Sequence, residues 1–130
     1  MSKFKSLIIL TFILFIGLLL SILPIKVPGG IDKIFHFIVF YGTTTFSTYI
    51  IIKAFGNKWI NHYLIAILMI GGGLATLSEL IQDYVPLRSC DLDDWFINLT
   101  GIGASILVTY LLNQRSIRES EILEEEFLSK

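Results

Sequence analysis

Cysteine and histidine are scarce in this 130-residue chain. Cys90 is the single cysteine, which excludes an intrachain disulfide and a cysteine-based zinc site. The two histidines, His36 and His62, do not belong to an H-E-x-x-H pair, and the chain carries no nucleophile motif. Enzyme classes that are recognised by such short motifs are therefore not indicated.

Charged residues are also sparse, at 16%, whereas hydrophobic residues make up 54% of the chain and the mean hydropathy is +0.74. This composition is too apolar for a soluble domain and is typical of proteins that reside in a bilayer. The formal net charge of -1 says little, because the charges are segregated along the sequence. Membrane lipids are the expected partners, and nucleic acid is not.

Four apolar segments are long enough, or nearly so, to cross a hydrocarbon core of about 30 Å as helices. The sequence therefore predicts an all-α membrane protein, a four-transmembrane-helix bundle. Its transmembrane domain covers residues 1–115, and residues 116–130 form a short acidic cytoplasmic tail. The predicted helices cover about 6–23, 34–52, 62–82 and 95–112.

The first apolar segment begins like a signal peptide, with Lys3 and Lys5 ahead of it. It is longer than the usual hydrophobic region of a signal peptide, and no A-x-A-like cleavage site follows it. We interpret it as a retained membrane span.

The distribution of Lys and Arg predicts that both termini lie in the cytoplasm. With this orientation, seven cationic residues lie on the cytoplasmic side and three on the outer side. The seven are Lys3, Lys5, Lys53, Lys58, Arg115, Arg118 and Lys130, and the three are Lys26, Lys33 and Arg88.

Polar side chains enter the apolar helices at three places, all near the predicted outer face. The second helix opens with IDKIFHF, the third ends with SELIQDYVP, and the fourth opens with DLDDWFINLTG. At about 1.5 Å of rise per residue, His36, Glu79 and Asn98 lie roughly 5–6 Å deeper than the charged residues that flank them. We therefore expect one polar pocket, open toward the outer interface.

Helical spacing aligns these groups further. Asp32 and His36 are four residues apart and so share a helix face. Two stripes run from polar residues near the outer face to small residues deeper in the membrane, where small residues let helices approach closely. One stripe comprises Gly72, Ala75, Thr76, Glu79, Gln82 and Asp83, and the other comprises Asp94, Asn98, Gly101 and Ser105.

His36 and Glu79 are the deepest ionisable groups and are the candidate catalytic residues, since an ionisable group within a span indicates a functional site by default. The candidate ligand-binding residues are Asp32, Lys33, Gln82, Arg88, Asp94 and Asn98. Purely structural roles remain open. Asp32 and Asp94 are suited to capping helix N-termini, and Glu79 is suited to an ion pair with Lys33 or Arg88.

These residues make the chain resemble the VanZ-like family of integral membrane proteins. The family's Asp-Lys-x-x-His-Phe element is matched by Asp32, Lys33, His36 and Phe37. Its Glu-x-x-Gln stretch, followed by Pro-x-Arg, is matched by Glu79, Gln82, Pro86 and Arg88. Its Asp-x-x-x-Asn-x-x-Gly element is matched by Asp94, Asn98 and Gly101, and the resemblance covers roughly residues 31–105.

The chain departs from the family pattern in two ways. Leu87 stands where the family often has Gly before the Arg, and Asp91 and Asp93 accompany the aspartate of the last element. Asp94 is preferred as the family aspartate because it sets the four-residue spacing to Asn98. The resemblance implies a multi-pass protein of the bacterial cytoplasmic (inner) membrane, in a family associated with resistance to the glycopeptide teicoplanin.

Three functions are compatible with this sequence. The first is a protein that binds an anionic lipid headgroup or envelope amphiphile. The second is an intramembrane hydrolase or transferase for a lipid phosphate or ester, with His36 or Glu79 as general base and Arg88 stabilising developing charge. The third is a structural or regulatory subunit. No cofactor is required, although a divalent cation held by Asp94 and Glu79 fits the residue types, and the sequence does not predict the oligomeric state.

Overall fold

The computed structural model describes residues 3–23, 30–86 and 90–129, which form four α-helices and no strand. The helices are α1 (Lys3–Ile22), α2 (Ile31–Phe55), α3 (Ile60–Gln82) and α4 (Leu92–Leu128). Each helix is long and apolar enough to cross a membrane. The predicted all-α architecture with four spans is confirmed, whereas the orientation of the bundle stays a prediction.

The ends of α2 and the start of α4 follow from local chemistry. Gly30 precedes α2 with a φ of 79°, in the left-handed region that glycine tolerates. Gly56 ends α2 with a φ of 78°, and its N–H donates to the carbonyl of Ile52 at 2.8 Å. Asp91 caps α4, because its side chain accepts a hydrogen bond from the Asp93 N–H at 2.8 Å.

The cap predicted for Asp32 is absent from the described residues. Asp32 lies in the first turn of α2, but no side-chain hydrogen bond caps that helix. Its carboxylate still interacts favourably with the positive end of the helix macrodipole.

Helix α4 is much longer than the segment predicted from apolar residues. It continues without interruption to Leu128, through the residues predicted to form the tail. The added residues are mostly Glu, Arg, Leu and Ile, and several of these favour helix strongly. An i,i+4 ion pair between Arg115 and Glu119, with 2.9 Å between Nε and Oε1, supports the same stretch. At about 1.5 Å per residue, α4 exceeds the thickness of a bilayer core.

The helices run antiparallel to their sequence neighbours, and α2 contacts each of the other three. Helix α3 also contacts α1 and α4, whereas α1 and α4 do not meet within the described residues. The α2–α3 pair therefore lies between α1 and α4. The C-terminal ends of α1 and α3 and the N-terminal ends of α2 and α4 lie at one end of the bundle, which we call the site end.

The packing reverses the pattern of a soluble protein. Large apolar side chains such as Phe12, Phe46 and Met69 are exposed, as expected of surfaces that face lipid. Several buried hydroxyls satisfy themselves inside their own helix, such as Thr48 Oγ1, which donates to the Thr44 carbonyl at 2.8 Å. The buried polar and charged residues are Ser6, Ser21, His36, Thr44, Ser47, Thr48, Ser78, Glu79, Gln82, Asp94, Asn98, Ser105 and Asn113.

Gly101 sets the separation of α2 and α4. A Cβ placed on it would lie 2.8 Å from the carbonyl oxygen of Phe37 and 3.2 Å from the backbone nitrogen of Tyr41. The two backbones can approach this closely only because glycine carries no side chain. His36 precedes Phe37, and Asn98 lies one turn before Gly101, so this contact brings His36 and Asn98 together.

Candidate functional site: a buried polar cluster

Four of the predicted site residues meet where α2, α3 and α4 converge at the site end. His36 comes from α2, Glu79 from α3, and Asp94 and Asn98 from α4. We call these four residues the polar cluster. His36 and Asn98 are 0% exposed, Glu79 is 2% exposed and Asp94 is 4% exposed.

Asn98 lies at the centre of the polar cluster and determines which ring nitrogen of His36 carries a hydrogen. Its Nδ2 donates to Glu79 Oε1 at 3.0 Å, which leaves its Oδ1 facing His36 Nδ1, also at 3.0 Å. An amide oxygen can only accept, so His36 Nδ1 must carry a hydrogen. In neutral His36 the lone pair is therefore on Nε2.

The Nε2 of His36 faces Asp94. It lies 3.9 Å from Asp94 Oδ2, which is within reach of an ion pair if His36 is protonated but too long for a hydrogen bond. The other oxygen, Asp94 Oδ1, is buried and accepts no hydrogen bond within the described ranges. A buried carboxylate oxygen normally has a donor, so Asp94 retains capacity for one more.

Glu79 also fastens the start of α4 to α3. Its Oε2 accepts a hydrogen bond from the Asp91 N–H at 3.3 Å, while Oε1 accepts from Asn98. The predicted ion pair between Glu79 and Lys33 is not formed. Lys33 Nζ instead donates to Asp93 Oδ2 at 2.8 Å, and Arg88, the other predicted partner, lies outside the described residues.

Charged side chains surround the polar cluster at the surface of the site end. The side chains of Lys33 and Asp93 are 35% and 75% exposed, and Asp32 and Asp91 are half-buried. The three aspartates at the start of α4 thus have three different roles. Asp91 caps the helix, Asp93 pairs with Lys33, and Asp94 points into the interior.

Gln82 is buried but is not hydrogen-bonded to the polar cluster in the described part of the chain. Its Nε2 donates to the carbonyl of Ser21 at 2.9 Å, which ties the end of α3 to the end of α1. Its Oε1 is buried and accepts no hydrogen bond from any described residue. Within the same ranges, Gln82 serves to join two helices.

Two further contacts were not predicted from the sequence. Trp95 packs partly buried against the core, and its Nε1 donates to Thr76 Oγ1 at 3.1 Å. Deeper in the bundle, Thr45 Oγ1 and Ser105 Oγ are 2.8 Å apart and link α2 to α4. Polar residues on apolar faces are the only sequence signal for either contact, and that signal does not identify a partner.

The polar cluster is closed, in contrast to the open pocket expected from the sequence. Its four members have almost no exposed surface, and three of them (His36, Asn98 and Glu79) are joined by hydrogen bonds. Within residues 3–23, 30–86 and 90–129, no three His, Cys, Asp or Glu side chains are grouped so that they could hold a metal ion. The arrangement provides an imidazole nitrogen between an amide and a carboxylate, with Lys33 above it at the surface.

Comparison with known proteins identifies one family. The model of the VanZ/LLP1 family matches residues 2–113, which include all four helical spans and every candidate site residue. Neither a search of curated proteins nor a search of solved structures gives a match.

Proposed function

The chain belongs to the VanZ/LLP1 family, and from that premise we propose that it binds the anionic headgroup of a lipid or envelope amphiphile at its site end. The observation that carries the proposal is a closed polar cluster at one end of an apolar bundle, with the cation Lys33 at the surface of the same end. Polar and ionisable groups inside a membrane are costly and mark sites of function.

Lys33 is suited to receive the headgroup. It is held by Asp93 in an ion pair whose two side chains are 35% and 75% exposed. Exposed ion pairs contribute about 0–1 kcal/mol, so a phosphate can replace Asp93 at little cost. The ammonium of Lys then acts as a point charge for the phosphate.

The polar cluster provides the second part of the binding site. Asp94 Oδ1 is buried and accepts no hydrogen bond from the described residues, so it can accept one from a hydroxyl of the headgroup. An anionic group on Lys33 and a hydroxyl on Asp94 together match a phosphate attached to a polyol. Arg88, which precedes α4 in the sequence, would add a second cation.

The orientation and cellular location belong to the same proposal. The excess of Lys and Arg at the opposite end favours that end facing the cytoplasm. The site end would then face the outer leaflet of the bacterial cytoplasmic membrane, where lipid-linked wall precursors and glycopeptides are encountered. A changed susceptibility to teicoplanin would be the corresponding phenotype.

Binding can be measured on the full-length chain in mild detergent by native mass spectrometry, with short-chain phosphatidylglycerol as the probe. Losing one lysine contact to an anionic headgroup costs about 1 kcal/mol, so Lys33→Ala should weaken binding at the site end about five-fold. Asp93→Ala, which removes the competing carboxylate, should leave binding equal or tighter. Unchanged affinity in Lys33→Ala would refute the proposal.

A second candidate function is an intramembrane hydrolase or transferase that acts on a lipid phosphate or ester. The observation that favours it is the orientation of His36, whose Nδ1 is fixed by Asn98 and whose Nε2 is directed toward Asp94. An imidazole held in one tautomer is suited to act as a general base. Glu79 would hold Asn98 in position and would not itself take the proton.

Lipid analysis of cells that lack the protein separates the two functions. Accumulation of a phosphorylated or esterified lipid, restored by the native chain and not by His36→Ala, would establish the enzyme. An unchanged lipid composition with altered susceptibility to teicoplanin or detergent would support binding. A chain with neither effect would point to the third function, a structural or regulatory subunit.

A further inference from the structure

A groove with a mostly apolar lining surface lies between α2 and α4, at the end of the bundle opposite the polar cluster. It has a volume of about 290 Å³. Its polar lining includes Tyr49, Asn57, Thr109 and Asn113, and Ile52 and Leu112 contribute apolar surface. None of these residues belongs to the family motifs or to the polar cluster.

Asn113 is the residue that makes this groove a candidate site. It is only 7% exposed, and its Nδ2 is buried and donates to no acceptor within residues 3–23, 30–86 and 90–129. A buried donor without an acceptor is destabilising, so a ligand oxygen that reaches this amide would remove a cost already present in the fold. Asn113 itself lines the groove.

Lys53 supplies a positive charge at the margin of the groove. Its Nζ donates to the hydroxyl of Tyr49 at 3.4 Å and lies 5.5 Å from the centre of the Tyr49 ring. Because Tyr49 lines the groove, this pair of contacts holds the ammonium beside it. The cation and the amide donor are thus presented by two different helices to one groove.

The groove lies at the depth of a headgroup. About 22 Å of helix separates Asn98 from Asn113, at about 1.5 Å of rise per residue. Since the hydrocarbon core is about 30 Å thick and Asn98 lies below one interface, Asn113 lies near the other. A groove between two spans at this depth faces the lipids of that leaflet.

We propose that this groove binds the phosphate of an anionic glycerophospholipid from the leaflet at that end of the bundle. Lys53 neutralises the phosphate, and Asn113 donates Nδ2 to a phosphate or ester oxygen. Ile52 and Leu112 contact the glycerol and the first methylenes. Basic grooves between membrane helices recognise anionic headgroups by the same chemistry. This site is independent of the function proposed for the site end.

The test is made in a Lys33→Ala background, which weakens lipid binding at the site end. Dioleoylphosphatidylglycerol and dioleoylphosphatidylcholine are titrated separately into the full-length chain in mild detergent, and bound lipid is counted by native mass spectrometry. Phosphatidylglycerol should bind more tightly than phosphatidylcholine. Lys53→Ala should reduce that preference about five-fold, the effect of one lysine near a headgroup.

Asn113→Ala should weaken phosphatidylglycerol binding as well, without lowering the melting temperature of the lipid-free chain, because the amide has no acceptor in the described protein to lose. Lys58→Ala is the matched control and should bind like its parent, since Lys58 lies at the same end but its ammonium sits over the ring of Trp59, a residue that does not line the groove. Equal binding of the two lipids, or unchanged binding in Lys53→Ala, would overturn the proposal. If Asn113→Ala does not fold, the Lys53→Ala result decides alone.

Discussion

The Nδ1 of His36 and the side-chain oxygen of Asn98 lie 3.0 Å apart and join the opening turns of α2 and α4. Through the other end of the same amide, the contact extends to Glu79 on α3. Asn98 thus links α2, α3 and α4 by hydrogen bonds. The polar cluster therefore contributes to the packing of the site end as well as to its chemistry.

Asn98→Ala should consequently destabilise the protein. The substitution removes both hydrogen bonds and leaves a donor on His36 and an acceptor on Glu79 without their partner. We expect the free energy of unfolding to fall by about 1–3 kcal/mol. Thermal unfolding in detergent, followed by circular dichroism, measures the effect.

Thr100→Ala is the matched control for Asn98→Ala. Thr100 is an exposed residue of the same helix, and its hydroxyl donates only to the Phe96 carbonyl of its own helix, at 2.8 Å. Its removal should change stability by no more than about 0.5 kcal/mol. Equal melting temperatures for the two variants would mean that the Asn98 contacts do not hold the helices together.

Two glycines of α4 should respond in opposite ways to the same substitution. In Gly101→Ala the new methyl group would meet the Phe37 carbonyl at 2.8 Å, so α2 and α4 must separate, at a cost of about 1–3 kcal/mol. In Gly103→Ala the methyl group would meet no atom within 4 Å among the described residues outside its own helix turn, and the better helix propensity of alanine should stabilise the chain slightly. A Gly101→Ala variant that melts no lower than Gly103→Ala would contradict the close approach of α2 and α4.

The sequence predicted that the residues of the polar cluster lie at a common depth along the bundle, because that depth follows directly from helix order and rise per residue. His36, Glu79 and Asn98 were assigned to one level on that basis, and the structure brings them within hydrogen-bond distance. Gly101 was recognised as a small residue at a helix interface, and it lies where the backbones of α2 and α4 approach each other closely. These features depend on one-dimensional spacing, which the sequence contains.

The partners of individual side chains could not be predicted in the same way. Lys33 pairs with Asp93 and not with Glu79, and Gln82 turns toward Ser21. Each choice depends on how far a helix rotates about its own axis and how closely it approaches its neighbour. Rotation is set by packing over the whole interface, as at Gly101, and a short motif does not encode it.

Converting Glu79 and Asp93 at the site end to amides should change the free energy of unfolding by very different amounts. Glu79→Gln replaces one acceptor oxygen with a donor that faces the N–H of Asp91 or the NH₂ of Asn98. Two donors cannot bond to each other, so this buried substitution should lower the free energy of unfolding by about 1–3 kcal/mol. Asp93→Asn removes only an exposed ion pair with Lys33 and should leave the free energy of unfolding almost unchanged.

Chemical denaturation in detergent, with the two variants measured side by side, checks this difference. Insertion into membranes should be unchanged in both, since neither substitution alters an apolar face. A Glu79→Gln variant as stable as Asp93→Asn would show that the acceptor oxygens of Glu79 are not used as the structure places them.

The orientation of the bundle can be measured through its single cysteine. Cys90 is exposed and lies just before α4 at the site end. Because the excess of Lys and Arg at the opposite end predicts that the site end faces outward, a maleimide that cannot cross membranes should label Cys90 in intact cells.

An Asn57→Cys substitution in a Cys90→Ser background puts the thiol in the exposed turn after α2, at the opposite end. That thiol should react only after the cells are opened. Labelling of Asn57→Cys together with protection of Cys90 in intact cells would show the opposite orientation. The polar cluster would then face cytoplasmic substrates instead of envelope amphiphiles.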